Sequence, residues 1–186
     1  MSLMRLFTGL DLPAGVVHNL ESLVAGLRPT ARIHWSPPAN LHVTTKFIGE
    51  WPEEKLAELE AALRALPARP PVEVVVAGLG FYPNARAPRV FWCGIEAPGL
   101  ESLAAETDKA TSALGIERER RAYSPHLTLA RIKDGVELRA LHEAIGRLPS
   151  KDFGRYTAAS FFLYRSQLRP TGSVYTKLAE YPFSQR

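Results

Sequence analysis

A single cysteine, Cys93, stands in the whole sequence, so no disulfide can form within the chain. Its setting, VFWCGI, reads as a buried core strand, which argues against a nucleophilic thiol. No apolar run approaches the length a helix needs to cross a bilayer. The opening MSLMRLFTGLDL has no signal-peptide pattern and enters a strand almost at once. These absences lead to the expectation of a cytoplasmic protein with no membrane attachment. No glycine-rich loop of the nucleoside-triphosphatase kind occurs, and no low-complexity linker divides the chain. A hydrophobic content of 46% excludes a disordered polymer and fits one substantial core or two small lobes.

What is present is a repeat. The run LHVTTKFIGE carries His42 and Thr44, and SPHLTLARIKD carries His126 and Thr128. In each copy an isoleucine, Ile48 or Ile132, follows six residues after the histidine. The first copy continues with Leu56, Leu59, Leu63, Leu66 and Pro67, and the second with Leu138, Leu141, Ile145, Leu148 and Pro149. Each set is one apolar stripe of an amphipathic helix closed by a proline. A unit of strand, turn and helix therefore occurs twice, which predicts two related lobes with one His-x-Thr strand each.

Elsewhere the pattern predicts strands at RLFTGLDL and IHWSPP, and a hairpin formed by PPVEVVVAGLGFYP and RVFWCGIEA. RYTAASFFLYRSQL reads as one strand, joined to SVYTKLAEYPF through RPTGS. Further helices are expected at PAGVVHNLESLVAGL, with Pro13 in its first turn, and at GLESLAAETDKATSALG. The fold class is α+β: two pseudo-symmetric lobes, mostly antiparallel sheets lining a central cleft, helices outside, and residues 1–186 as one bilobal domain. A monomer with no obligate protein partner is expected.

Residues two apart on a strand point the same way. This puts His42, Thr44 and Lys46 on one face of the first motif, and Val43, Thr45 and Phe47 on the other. Two histidines facing one cleft form a natural acid–base pair, because imidazole titrates near neutrality. Threonine hydroxyls beside them can donate to phosphoryl oxygens. The set suits in-line displacement at a phosphodiester. A metal site fits less well, since it needs three or four ligands and the motif strands HVTTKFIG and HLTLARI contain no acidic residue. Neither a metal nor another cofactor is expected. Net charge is +4, and arginine supplies 17 of the 23 basic residues, a composition permissive for phosphate ligands. Arg118, Arg120 and Arg121 lie just before the second motif and are candidates for a groove that takes a nucleic-acid backbone.

The paired motifs HVTTKF and HLTLAR, about eighty residues apart, closely resemble those of the 2H phosphoesterase superfamily. Within it the chain resembles the RNA 2′,3′-cyclic phosphodiesterases, also called LigT-like 2′-5′ RNA ligases. The resemblance spans RLFTGLDLP, PRVFWCGI, YSPHLTLAR and LYRSQLRPTGSVYTKL. It implies metal-independent opening of an RNA 2′,3′-cyclic phosphate to a 2′-phosphate, with reversible ATP-independent 2′-5′ joining of RNA ends as a further activity. It implies His42 as proton donor to the leaving 3′ oxygen, His126 as the acceptor that activates water, and Thr44 and Thr128 as phosphate holders. It further implies base stacking by Phe47 and phosphate binding by Arg131. Strict alternation places both of these away from their histidines, so they reach the cleft only where the strand bulges. Tyr123 and Ser166 are further candidates for contact with the substrate. Two other readings stand beside this one. The first is an RNA-end binding protein with little turnover. The second is an esterase for a small cyclic nucleotide, such as ADP-ribose 1″,2″-cyclic phosphate.

Overall fold

A computed structural model describes residues 1–184. The chain runs through β1 (Leu3–Leu10), α1 (Ala14–Leu27), β2 (His34–Trp35), β3 (Val43–Pro52), α2 (Leu56–Arg64), β4 (Val72–Tyr82), β5 (Val90–Glu96), α3 (Leu100–Ser112), β6 (His126–Arg131), α4 (Arg139–Gly146), β7 (Asp152–Ala158), β8 (Ser160–Arg169) and β9 (Gly172–Pro182). The strands form two antiparallel sheets, ordered β3-β1-β8-β9 and β2-β6-β5-β4-β7. This is the predicted α+β architecture, with one His-x-Thr strand in each sheet.

The repeated apolar stripes act as helix faces. Leu59 and Leu63 of α2 and Leu141 of α4 are buried, and Leu138 is buried just before α4 begins. Fully burying a leucine contributes about 1.5–3 kcal/mol, enough to dock helices this short. Helix α3 packs on β3, and α2 packs against α3. Helix α1 packs on β7 and α4, and His142 of α4 meets the Phe81 ring of β4. One apolar cluster joins the two halves, with Leu6 and Leu163 from the first sheet and Val74, Cys93, Leu127 and Leu129 from the second.

Two expectations about strands need correction. RYTAASFFLYRSQL is not one strand. It breaks at Ala159, and β7 and β8 lie in different sheets. Both halves of the run have strand composition, so local pattern could not reveal that the chain changes sheets there. Lys46 does not share a face with His42. Its side chain is buried, with the ammonium 2.8 Å from Asp108 Oδ1 of α3 and 2.7 Å from the Glu117 carbonyl. A partner 62 residues away offsets a desolvation cost that would otherwise keep a lysine exposed.

Candidate active site

Both motif strands bulge at the same place. In β3, Thr44 pairs with Gly9 and Lys46 with Thr8, so Thr45 is an extra residue. In β6, Thr128 pairs with Trp92 and Ala130 with Phe91, so Leu129 is extra. Each extra residue lies three positions after the motif histidine and is buried. Thr45 satisfies its hydroxyl on Thr8, 2.7 Å away. An inserted residue resets the alternation downstream. Lys46 therefore turns to the helix side, while Phe47 and Arg131 emerge exposed. Phe47 is 64% exposed, which removes core packing as its role. Its ring lies 6.4 Å from Phe7.

The two imidazoles are gripped alike. His42 Nδ1 lies 2.9 Å from the Asn40 carbonyl, and His126 Nδ1 lies 2.8 Å from the Ser124 carbonyl. A carbonyl only accepts, so Nδ1 carries the hydrogen in each ring. That leaves Nε2 as the nitrogen free to take or give a proton. Each ring also meets a tyrosine edge-on, Tyr175 at 5.0 Å from His42 and Tyr82 at 5.3 Å from His126.

The surroundings otherwise differ. His42 stacks on Phe7 at 4.3 Å, and Phe7 stacks on Tyr164 at 4.9 Å. Phe7, Phe162, Tyr164 and Tyr175 form a small aromatic cluster separate from the main core. Burial there pulls the His42 imidazole below its ordinary pKa, and the hydrogen bond to Asn40 offsets only part of that shift. Beside His126, Tyr82 lies 5.2 Å from Trp92. Gly80 makes room for this arrangement, since a Cβ there would collide with the Trp92 ring.

The remaining predicted residues fall into two groups. Ser166 pairs with both Arg5 and Tyr175, next to the aromatic cluster. Tyr123 donates to the Thr44 carbonyl at 2.8 Å and so ties the approach to the second motif to the first motif strand. The arginine cluster is divided. Arg118 donates to Asp108 at 3.0 Å, Arg120 to Glu117 at 2.9 Å, and Arg121 is exposed. Together with Phe47, Ile48 and Gly49 they line a cleft of about 400 Å³. Cys93 is buried, and its thiol is pushed up to about 12 by burial. Among the described residues no group of three or more His, Cys, Asp or Glu could hold a metal ion, and no helix is long and apolar enough to cross a membrane.

The LigT like Phosphoesterase family model matches residues 10–92 and 95–175, one stretch holding His42 and the other His126. The chain belongs to this family. Among the relatives of this LigT-like chain, the RNA 2′,3′-cyclic phosphodiesterase of Methanocaldococcus jannaschii is 33% identical, over 96% of this chain and 100% of that protein. The enzyme of the same name from Methanothermobacter thermautotrophicus is 34% identical, over 94% and 96%. A crystal structure of a Thermus thermophilus protein superposes with a TM-score of 0.80 at 32% identity, covering 97% of this chain and 98% of that one. Escherichia coli LigT complexed with 3′-AMP gives 0.79 at 26%, covering 99% and 100%. The LigT-like fold thus extends over nearly the whole chain.

Sequence reasoning missed the aromatic surroundings of the two imidazoles. A signal existed for Phe7: Arg5, Phe7 and Gly9 alternate with the core residues Leu6 and Leu10. Tyr175 and Tyr82 had none, because only the pairing of distant strands brings them to the histidines.

Proposed function

We propose that this protein hydrolyses RNA 2′,3′-cyclic phosphate ends to 2′-phosphates, using His42 and His126 as an acid–base pair within one bilobal domain. The observation that carries this reading is the matched presentation of the two imidazoles, each with Nδ1 fixed on a backbone carbonyl and Nε2 left for proton exchange. Family membership and the names of the relatives support the substrate class.

In this reading His126 Nε2 takes a proton from water as the water oxygen bonds to phosphorus. The bond from phosphorus to the 3′ oxygen breaks on the opposite side. His42 Nε2 gives its proton to that leaving oxygen, so the products are a 3′-hydroxyl and a 2′-phosphomonoester. Thr44 and Thr128 donate to the non-bridging oxygens, and Arg131 neutralises developing charge. With an RNA 5′-hydroxyl in place of water, the same steps in the same direction join ends through a 2′-5′ linkage, and their reversal cleaves it.

The direct test is product analysis on a short RNA ending in a 2′,3′-cyclic phosphate. The expected product is the 2′-phosphate, formed at the same rate with EDTA present. Loss of activity on chelation, with recovery on adding one divalent ion, would refute a metal-independent mechanism. A 3′-phosphate product would reverse the assigned leaving oxygen.

The cleft beside Phe47 favours an oligonucleotide over a small cyclic nucleotide. A base can stack on the exposed Phe47 ring, and a phosphate can meet Arg120 and Arg121. Arg118 is committed to Asp108, so the groove test falls on the other two. The Arg120–Glu117 pair is exposed on both sides and worth little by itself. Replacing Arg120 and Arg121 with alanine should weaken oligonucleotide binding. It should also flatten the log–log salt slope by roughly 0.7 for each phosphate no longer neutralised. The kcat/KM for a mononucleoside 2′,3′-cyclic phosphate should not change. An unchanged slope would leave the arginines as solvated surface.

A further inference from the structure

The residue two positions before each motif histidine has two jobs in this structure. The Asn40 carbonyl accepts from His42 Nδ1, while its side-chain Nδ2 donates to the Ser173 carbonyl at 2.9 Å. Ser173 lies in β9, two residues before Tyr175, whose ring meets His42 edge-on. The Ser124 carbonyl accepts from His126 Nδ1, while its Oγ lies 3.1 Å from the Tyr82 hydroxyl. Tyr82 is itself the ring that meets His126 edge-on. On both sides, then, one residue holds a nitrogen of the imidazole through its backbone, and its side chain holds the aromatic wall of that imidazole, directly at Tyr82 and through the strand that carries Tyr175.

We infer that Asn40 and Ser124 are positioning residues, two related clamps that keep the hydrogen of each neutral imidazole on Nδ1, so that Nε2 is the nitrogen that exchanges the proton, and that hold each ring in register with its tyrosine wall. This deepens the acid–base reading above and rests on it. The physical need is specific. Both histidines sit where a strand starts, His42 just before β3 and His126 as the first residue of β6, so the ladder does not fix the carbonyl two residues upstream. Asn40 ends a short 3-10 turn that begins at Pro38, directly after Pro37. Ser124 lies in irregular chain before Pro125. Without a tether, either carbonyl can rotate away from its imidazole. The ring is then free to flip, which turns Nε2 away from the substrate, or to carry its neutral-form hydrogen on Nε2, which blocks proton acceptance there.

The test uses the full chain with 15N-labelled histidine, at a pH where both rings are neutral. In the wild type, His42 and His126 should each show a protonated Nδ1 and an unprotonated Nε2. In Asn40→Ala the His42 nitrogens should move toward the average of mixed tautomers while His126 stays as it was. Ser124→Ala and Tyr82→Phe should do the same to His126 alone. These last two substitutions should also be non-additive when combined, because they break one shared bond. Toward a short RNA with a 2′,3′-cyclic phosphate end, kcat should fall on the order of 10-fold, as on loss of an outer hydrogen bond that orients a working histidine. KM should stay nearly constant. Unmoved ring shifts at the tethered histidine would overturn the clamp. So would equal shifts at both histidines in every variant, which would mean general loosening. Ring shifts that move while kcat holds would leave the clamp standing and count against the acid–base reading.

Discussion

His42→Ala and His126→Ala are each expected to lower kcat/KM for an RNA 2′,3′-cyclic phosphate by on the order of 10²–10⁴-fold, the range for loss of a general acid or base. The two losses should respond differently to the leaving group. With sulphur replacing the 3′ bridging oxygen, departure needs no proton, so the substrate should restore much of the His42→Ala rate and little of the His126→Ala rate. Rescue of His126→Ala instead would exchange the two roles. The pH dependence gives a second handle. Burial holds the His42 imidazole below its ordinary value in the free protein, and a proton donor must be charged. Raising the pH therefore removes the active form early, and the alkaline limb of kcat/KM, which reports the free enzyme, should lie low. An anionic phosphate bound beside the ring favours its charged form and raises its pKa. The alkaline limb of kcat, which reports the complex, should accordingly lie at higher pH. Coincident limbs would mean that the phosphate does not sit against His42.

Much of the fold that carries the candidate site was legible because its determinants are local and repeated. The two His-x-Thr motifs, the identical apolar stripes and the closing prolines all follow from residues close in sequence, and they yielded the strands, two of the helices and the two-lobed plan. The bulges were foreseeable only as a condition. Phe47 and Arg131 needed an inserted residue to change face, but nothing in HVTTKF or HLTLAR says which residue is inserted. The partner strands decide that. Thr45 finds a buried hydroxyl on Thr8, and Leu129 finds the core. The pairing within the arginine cluster was hidden for a related reason. IERERR reads as one positive patch, yet it interleaves with Glu117 and Glu119, and an aspartate on α3 claims Arg118. Local charge counts do not show which cations are already paired.

That aspartate should be among the most sensitive positions of the framework. Asp108 is buried on α3, with its carboxylate taking the Lys46 ammonium at 2.8 Å, the Arg118 Nε at 3.0 Å and the Glu119 N–H at 3.0 Å. Lys46 belongs to the first motif strand, and residues 117–119 begin the approach to the second, so one carboxylate ties both together. Asp108→Ala leaves the Lys46 ammonium buried, with the Glu117 carbonyl and the more distant Glu119 carboxylate as its remaining partners. Breaking a buried pair from one side costs about 3–5 kcal/mol, and the urea midpoint should fall accordingly at constant m. Arg118→Ala removes a partner that is largely exposed and should cost about 1 kcal/mol or less. Burial alone would raise the Asp108 carboxyl, but Lys46, the Glu119 N–H and Arg118 together hold it below its usual value. A carboxylate depressed in the folded state contributes its full stability above the ordinary aspartate pKa of about 4 and loses it as the pH falls through the folded value. The wild type should therefore lose part of its advantage over Asp108→Ala below that point. The double change Lys46→Met with Asp108→Leu should cost less than Asp108→Ala alone, since it removes the stranded charge and its partner together. An Asp108→Ala protein within about 1 kcal/mol of wild type at neutral pH would place Lys46 in water rather than in the interior.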